Sequence, residues 1–314
     1  MRINNNITAI NSHRQYGINN SNIGKNMEKL SSGFRVNRAA DDAAGLAISE
    51  KMRAQIRGLN MASKNSQDAV SLVQTAEGGM QTIQDILQRM RELAVQSASD
   101  TNQDDVDREA LHLELDQLVQ EIDQIAATTE FNKMQLLDGS SNATTISSPS
   151  GNDAPGSKFV MQVGANHGQT MDITIGVMCA SGLGVVVAAG TASMEDDVGD
   201  WFTNGDLTEG IADTNVNIRT RENASVSIAV IDRALNCVSM QRAQLGAFQN
   251  RLEFKIQNLN NQAENVSAAE SRIRDADMAK MMTDFTKNNI LFQASTAMLA
   301  QANALPQGVL QLLG

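Results

Sequence analysis

From Ile48 onward the apolar and small side chains fall in alternating steps of three and four, as Leu59, Ala62, Ser66, Ala69, Val73, Ala76, Met80, Ile83, Leu87, Met90 and Ala94. A seam of this kind over about five heptads predicts a long helix that packs along its length against another. Asp100, Thr101 and Asn102 interrupt the pattern, and Asp104, Asp105 and Asp107 load the next first turn with the negative charge a helix amino terminus favours. A second stripe follows at Leu111, Leu115, Leu118, Ile122 and Ile125. The short connection predicts an antiparallel neighbour.

Residues 139–157 are rich in Gly, Ser, Asn, Thr and Pro, a loop composition. Phe159, Met161 and Val163 then alternate with polar positions. Gly-Ala-Asn-His-Gly-Gln breaks the pattern, and Met171, Ile173 and Ile175 alternate again, which predicts a β-hairpin. Residues 178–222 have no period, and seven acids lie between Glu195 and Asp213 without a base, so an exposed excursion is expected. From about Ala224 the helical pattern resumes through Ile228, Ile231, Leu235, Val238, Leu245, Phe248, Leu252, Leu259, Val266 and Ile273. It continues through Met278, Met281, Phe285, Phe292 and Leu299. One helix over 224–303 would be about 120 Å long at roughly 1.5 Å per residue, a rod that needs partners. The first 40 residues carry a weaker stripe of Ile3, Ile7, Ile10, Ile18, Leu30 and Phe34 among many Asn and Ser that lower helicity.

The fold class predicted is therefore mainly α: a long antiparallel coiled-coil bundle with paired N- and C-terminal helices, a small β-hairpin region and a short irregular outer insert. Both termini should meet at one end. A helix pair buries one stripe of each member, so the apolar ends, Ile3 to Ile10 and Leu305 to Leu313, point to self-assembly or docking.

Composition sharpens this picture. Pro occurs only at 149, 155 and 306, which leaves room for long helices, and 29 Asn and 24 Gln depress the helicity of any segment standing alone. A net charge of −11 argues against nucleic-acid binding, which needs a basic footprint. Ten aromatic residues in 314 cannot line many ligand pockets. The amino terminus lacks the apolar run of a cleaved signal, and the run around Gly184 to Ala189 is far too short for a membrane span. Cys179 and Cys237 have no metal or redox spacing, so two buried thiols are expected. His13, His112 and His167 stand in distant segments, which removes a zinc triad or a Ser-His-Asp arrangement, and no catalytic, cofactor or metal site is assigned. Glu195, Asp196, Asp197 and Asp200 lack the alternating ligands and central glycine of a calcium loop. Gly78-Gly79 inside the first long helix predicts a close helix approach.

Leu30-Ser-Ser-Gly33 with Arg35-Val-Asn-Arg-Ala-Ala-Asp-Asp-Ala-Ala-Gly-Leu-Ala-Ile-Ser-Glu50, and Gln88-Arg-Met-Arg-Glu-Leu-Ala-Val-Gln96, resemble the amino-terminal signature of bacterial flagellins. Ala268-Ala-Glu-Ser-Arg-Ile-Arg-Asp-Ala-Asp-Met278, Ala297-Met-Leu-Ala-Gln-Ala-Asn303 and Val309-Leu-Gln-Leu-Leu313 resemble the carboxy-terminal one. The resemblance spans residues 1–180 and 222–314. It implies an inner, channel-lining domain of 1–44 with 275–314, a helical core domain of 45–180 with 222–274, and an outer insert at 181–221.

The function implied is a structural, non-enzymatic subunit of the extracellular motility filament, exported unfolded and folding as it polymerises. The assembly residues would be Ile3, Ile7, Ile10, Leu30, Phe34, Phe285, Phe292, Leu299, Leu305, Leu310 and Leu313, and removal of 305–314 should leave a secretable, unpolymerised monomer. Partners implied are further copies of the chain, a flagellar secretion chaperone at the carboxy-terminal segment (over Phe285, Ile290, Phe292 and Leu299), the export apparatus, and the cap and hook-junction proteins. Arg89, Leu93 and Glu114 match positions that contact the vertebrate flagellin-sensing Toll-like receptor, although charged residues on such a helix ordinarily just solvate its outer face. Ser140, Ser141, Thr144, Thr145, Ser147 and Ser148 are loop hydroxyls that could carry O-linked sugars. Two other classes share some of these features: a hook-filament junction protein, with weaker terminal signatures, and an unrelated coiled-coil scaffold, which leaves the hairpin unexplained.

Overall fold

The computed structural model describes residues 6–99, 106–140, 143–147, 153–185 and 216–313, with the backbone alone at 143–147, 153–155 and 305–313. The chain forms five helices and five short strands among these residues: α1 (Ile7–Ser32), α2 (Ala43–Ser97), α3 (Asp107–Thr128), β1 (Glu130–Phe131), β2 (Met134–Gln135), β3 (Ala143–Ser147), β4 (Asp153–Gln162), β5 (Thr170–Gly176), α4 (Arg221–Arg274) and α5 (Met278–Leu313). They divide into two compact units, one of residues 1–57 with 261–314 and the other of residues 58–260. These borders fall inside α2 and α4, whereas the expected domain borders at 44/45 and 274/275 lie in the first turn of α2 and at the end of α4.

In the unit of residues 58–260, α2 and α3 are antiparallel. The Arg108 guanidinium, on the first turn of α3, donates to the Ser97 and Ser99 carbonyls at 2.9 and 3.0 Å and so satisfies groups the end of α2 leaves free. Helix α4 also runs antiparallel to α2: Ser63 donates to Asn260 Oδ1 at 3.1 Å, and Arg91 meets Asp232 at 2.7 Å. The α2 seam from Leu59 to Ala94 is buried, and Leu72, Met80, Ile83, Leu87 and Met90 are wholly so, packed with Leu115, Ile122, Ile231, Val238, Leu245 and Leu252. Gly79 packs closely, since a Cβ there would lie 2.8 Å from Thr129 Oγ1 and 3.0 Å from Leu137 Cδ1; Gly78 faces open space.

The expected hairpin is present, with Phe159 opposite Ile173 and Met161 opposite Met171, and Phe159, Ile173 and Ile175 complete the core. It extends beyond the expectation. Strand β4 begins at Asp153, and β3 pairs with it, so part of the predicted loop 139–157 is sheet. Thr144, Thr145 and Ser147 thus belong to a strand, Ser141 and Ser148 lie outside the described residues, and the Ser140 hydroxyl donates to Asp138. The insert expected at 181–221 is shorter at both ends. Leu183, Val185, Val216 and Ile218 are core residues, and the Val216 N–H donates to the Val185 carbonyl at 3.2 Å. Its remainder, with the acidic cluster at 195–200, lies outside the described residues. Cys237 is buried, Cys179 is half-buried rather than fully so, and both thiols are free. No described helix is long and apolar enough to cross a membrane.

A candidate assembly surface on the paired terminal helices

Gly33 ends α1 in the left-handed conformation, φ 74°, where only glycine sits without strain, and its N–H returns to the Lys29 carbonyl. The chain then re-enters helix at α2 with Asp42 Oδ1 accepting from the Gly45 N–H at 2.8 Å. Between these points the Asp41 carboxylate accepts the Asn37 and Arg38 N–H groups, and those backbone bonds, the Arg38 one foremost, lower its pKa. A matching break separates α4 from α5, so the helical pattern over 224–303 is two helices rather than one rod. Asp277 Oδ1 accepts from Ala279 and Lys280 to start α5, and the freed backbone before it pairs across with the first break. The Arg35 N–H donates to the Arg274 carbonyl at 2.7 Å, the Ala276 N–H donates to the Gly33 carbonyl at 2.9 Å, and Phe34 bridges Asp275. The Arg274 guanidinium lies 4.6 Å from the Phe34 ring centroid and 2.8 Å from Glu50.

Beyond this junction α1 and α5 run antiparallel. Tyr16 and Phe292 have ring centroids 4.9 Å apart, Asn19 Nδ2 donates to Ser295 Oγ at 2.8 Å, and Asn6 Nδ2 donates to the Ala302 carbonyl at 2.7 Å. Half-buried positions of α1 form a heptad-spaced series, Ala9, Ser12, Tyr16, Asn19, Ile23, Asn26 and Leu30, joined near its end by Glu28, Lys29 and Ser32. Those of α5 match them, as Met281, Phe285, Asn288, Phe292, Ser295 and Leu299, with Ala302 buried. Leu30, Phe34, Phe285, Phe292 and Leu299 of the predicted assembly set therefore sit in or beside this intramolecular seam. Ile7 and Ile10 do not: with Ile18 they lie on the opposite side of α1, at about 3.6 residues per turn, and Ile10 is 62% exposed. On α5, Met278, Met282, Ile290, Leu291 and Met298 are exposed, so this helix carries apolar side chains all round. Ile3 lies outside the described residues, as do the side chains of Leu305, Leu310 and Leu313.

The other predicted cluster is in the unit of residues 58–260. Arg89 donates to Glu114 at 2.8 Å and to Glu92 at 3.1 Å, all on exposed surface, and hydrogen bonding to Glu114 raises its pKa. Leu93 must be corrected. It is 1% exposed because it belongs to the seam residues that pack inward, and it offers no surface to a partner. Sequence reasoning passed over the polar half of the α1 seam, Ser12, Asn19 and Asn26, whose seven-residue spacing was its only signal.

Paired terminal helices that contact each other through a seam interleaved with Ser and Asn, and leave apolar faces outward, define a helical protein whose ends lack a core of their own. The comparisons place it more closely. Residues 3–142 match the bacterial flagellin N-terminal helical region and residues 228–313 the bacterial flagellin C-terminal helical region. The chain is 52% identical over 314 residues to a flagellin of Bacillus subtilis (strain 168), covering all of both chains. It is 46% identical over 313 residues to the flagellar filament 33 kDa core protein of Treponema phagedenis, again covering all of both. A structure described as a flagellar hook-associated protein from Vibrio parahaemolyticus shares the fold, at a TM-score of 0.53 and 14% identity over 75% of this chain and 100% of that one. This chain belongs to the bacterial flagellin family.

Proposed function

We propose that this chain is the structural subunit of the bacterial flagellar filament, outside the cell, and that its copies hold together through α1 and α5. One observation carries the reading: large apolar side chains lie outside the intramolecular seam, with Ile7, Ile10 and Ile18 opposite it on α1, Ile290 opposite it on α5, and Leu291 and Met298 on a flank of α5. Apolar surface of that extent on two neighbouring helices is stable only when covered. Helices rich in Asn and Ser recover too little burial from their own pairing to offset ordering entropy, so their folding is coupled to addition of the subunit to a growing end. Residues 1–44 and 275–314 would line the inner layer, with 45–180 and 222–274 outside it.

The transient partners of such a subunit would meet α5 both on its outward face and, before α1 and α5 pair, on its seam. A cytoplasmic secretion chaperone would cover Phe285, Ile290, Phe292 and Leu299 before export of the unfolded chain, and the cap and hook-junction proteins would meet the helices at the filament's ends. A Toll-like receptor would find Arg89 and Glu114 accessible on a free subunit. The family is structural, and no catalytic role is proposed. Full-length likeness to flagellins at 52% identity favours the filament over the hook-filament junction, whose shared fold does not separate the two.

Ile10→Asp and Ile290→Asp, made separately, test the reading. Each replaces an outward side chain, so the secreted monomer should keep its circular dichroism while electron microscopy of culture supernatants finds no filaments. Normal filaments from both variants would overturn it. Deletion of residues 305–314 should likewise yield secreted monomer.

A further inference from the structure

The exposed apolar side chains of α5 are dominated by sulfur. Among the residues of α5 whose side chains are described, Met278, Met282 and Met298 make up three of the five large exposed apolar ones, and Met27 adds a fourth thioether on α1. Met278 and Met282 are one turn apart on one flank of the seam. Met298 stands with Leu291 on the other, two turns apart, at about 3.6 residues per turn. Two methionines of the other unit provide the contrast: Met80 and Met90 are 0% exposed in the core, whereas Met61 and Met240 are exposed there. We propose that Met278, Met282 and Met298 form an oxidation site whose conversion to sulfoxide by a peroxide blocks addition of the free subunit to a filament. The proposal rests on the assembly reading above.

A lone pair of the thioether sulfur attacks the terminal peroxide oxygen, the O–O bond breaks, and the sulfur gains one oxygen as the peroxide is reduced by two electrons and leaves as water or an alcohol. The flexible apolar side chain becomes polar and chiral, with a strong acceptor oxygen. Buried between apolar helices with no donor, that oxygen costs far more than the sulfur it replaces. Because the residues flank the seam on both sides, oxidation would hit two faces of α5 while leaving the Tyr16–Phe292 contact in place. Among the described residues, Cys237 is buried and Cys179 is half-buried in the other unit, so Cys179→Ala removes the accessible thiol, and Met27→Leu, Met61→Leu and Met240→Leu remove the other exposed thioethers.

The experiment uses the full chain with those substitutions. Dilute monomer is treated with hydrogen peroxide, oxidation is mapped by mass spectrometry, and elongation is followed on seeds of sheared filaments. Met278, Met282 and Met298 should oxidise before Met80 and Met90, and the concentration needed for elongation should rise roughly tenfold or more. Methionine sulfoxide reductases should restore elongation, and a variant combining Met278→Leu, Met282→Leu and Met298→Leu should elongate equally with and without peroxide. Monomer oxidised at all three positions that elongates like untreated monomer would overturn the proposal, as would a treated leucine variant that fails where the untreated one succeeds. Preformed filaments separate the two readings. Methionines that are protected there while oxidised monomer still elongates sink only the oxidation site; methionines that oxidise as fast in filaments as in monomer sink the assembly reading too.

Discussion

The two compact units share one periodicity and differ in what it buries. In the unit of residues 58–260, the heptad positions of α2 carry Leu, Val, Met, Ile and Ala, and from Ala69 to Ala94 they are essentially inaccessible. In the unit of residues 1–57 and 261–314, the heptad positions of α1 alternate Ser or Asn with Ala, Tyr, Ile and Leu. No residue of α1 is buried, and Ala302 is the only buried side chain described on α5. Spacing decides which faces of two helices meet. Seam chemistry decides whether the meeting is enough. A seam bearing Ser12, Asn19 and Asn26 fixes register through directional bonds such as Asn19 to Ser295, but it removes little apolar surface from water.

The largest expected effect breaks this comparison if it fails. Leu87→Ala, at a wholly buried seam position, should destabilise the monomer by about 2–5 kcal/mol, from lost transfer energy and the cavity left behind. Ile10→Ala removes a side chain of similar size that is already in water, so it should change monomer stability by about 0.5 kcal/mol or less while impairing filament formation. Urea midpoints of the two variants measure this. Comparable losses would mean that the terminal unit has a core of its own.

A second effect should appear only in the core-bearing unit. Burial pushes the Cys237 thiol up to about 11 from its ordinary 9.0. Because the raised value belongs to the folded state, the stability tied to the neutral thiol is complete below pH 9 and is lost as pH rises from 9 towards 11. The loss is on the order of 2–3 kcal/mol. Urea midpoints between pH 8 and 11 should fall more steeply for the natural chain than for Cys237→Ala. Parallel pH profiles would show that the thiol is not held in the dry interior.

Much of the architecture was legible because apolar seams announce themselves. The stripes from Leu59 to Ala94 and from Ile228 to Leu259, and the alternation of Met171, Ile173 and Ile175, read directly as the elements that bury them. What escaped was written in polar residues. The β1–β2 turn uses Asn132 and Lys133 at φ 52° and 63°, a turn in which lysine gives no cue. Strand β3 is a Ser- and Thr-bearing segment that pairs through backbone bonds, which composition alone assigned to a loop. The α4–α5 break is set by one capping aspartate, Asp277, and by pairing with residues some 240 positions away, between which hydrophobic spacing hardly falters. The assembly surface was half legible. The isoleucines of α1 stood out as a stripe, but whether a stripe faces the chain's own partner or the outside depends on the competing polar seam. Leu93 escaped in the same way, for a helix position says nothing of its facing until the core is assembled.

Glycines offer a finer test within the helices. Gly79→Ala forces a Cβ against Thr129 and Leu137 and should cost about 1–3 kcal/mol by overpacking, whereas Gly78→Ala, one residue away in open space, should gain up to about 1 kcal/mol of helix propensity.

The smallest effect bears most directly on why the terminal unit is dependent. Gly17 and Gly24 lie in α1 with nothing within 4 Å of where a methyl group would stand, so alanine at either meets no obstacle and should favour helix by about 0.5–1 kcal/mol each. If ordering cost is what keeps the free ends from being self-sufficient, Gly17→Ala with Gly24→Ala should slow amide exchange over residues 7–32 of the dilute monomer and lower the concentration needed for seeded elongation. The core-bearing unit should keep its urea midpoint, since neither substitution touches it. Faster exchange, or unchanged exchange with unchanged elongation, would mean that intrinsic helicity is not what limits α1, and that the exposed isoleucines alone make the terminal unit depend on its neighbours.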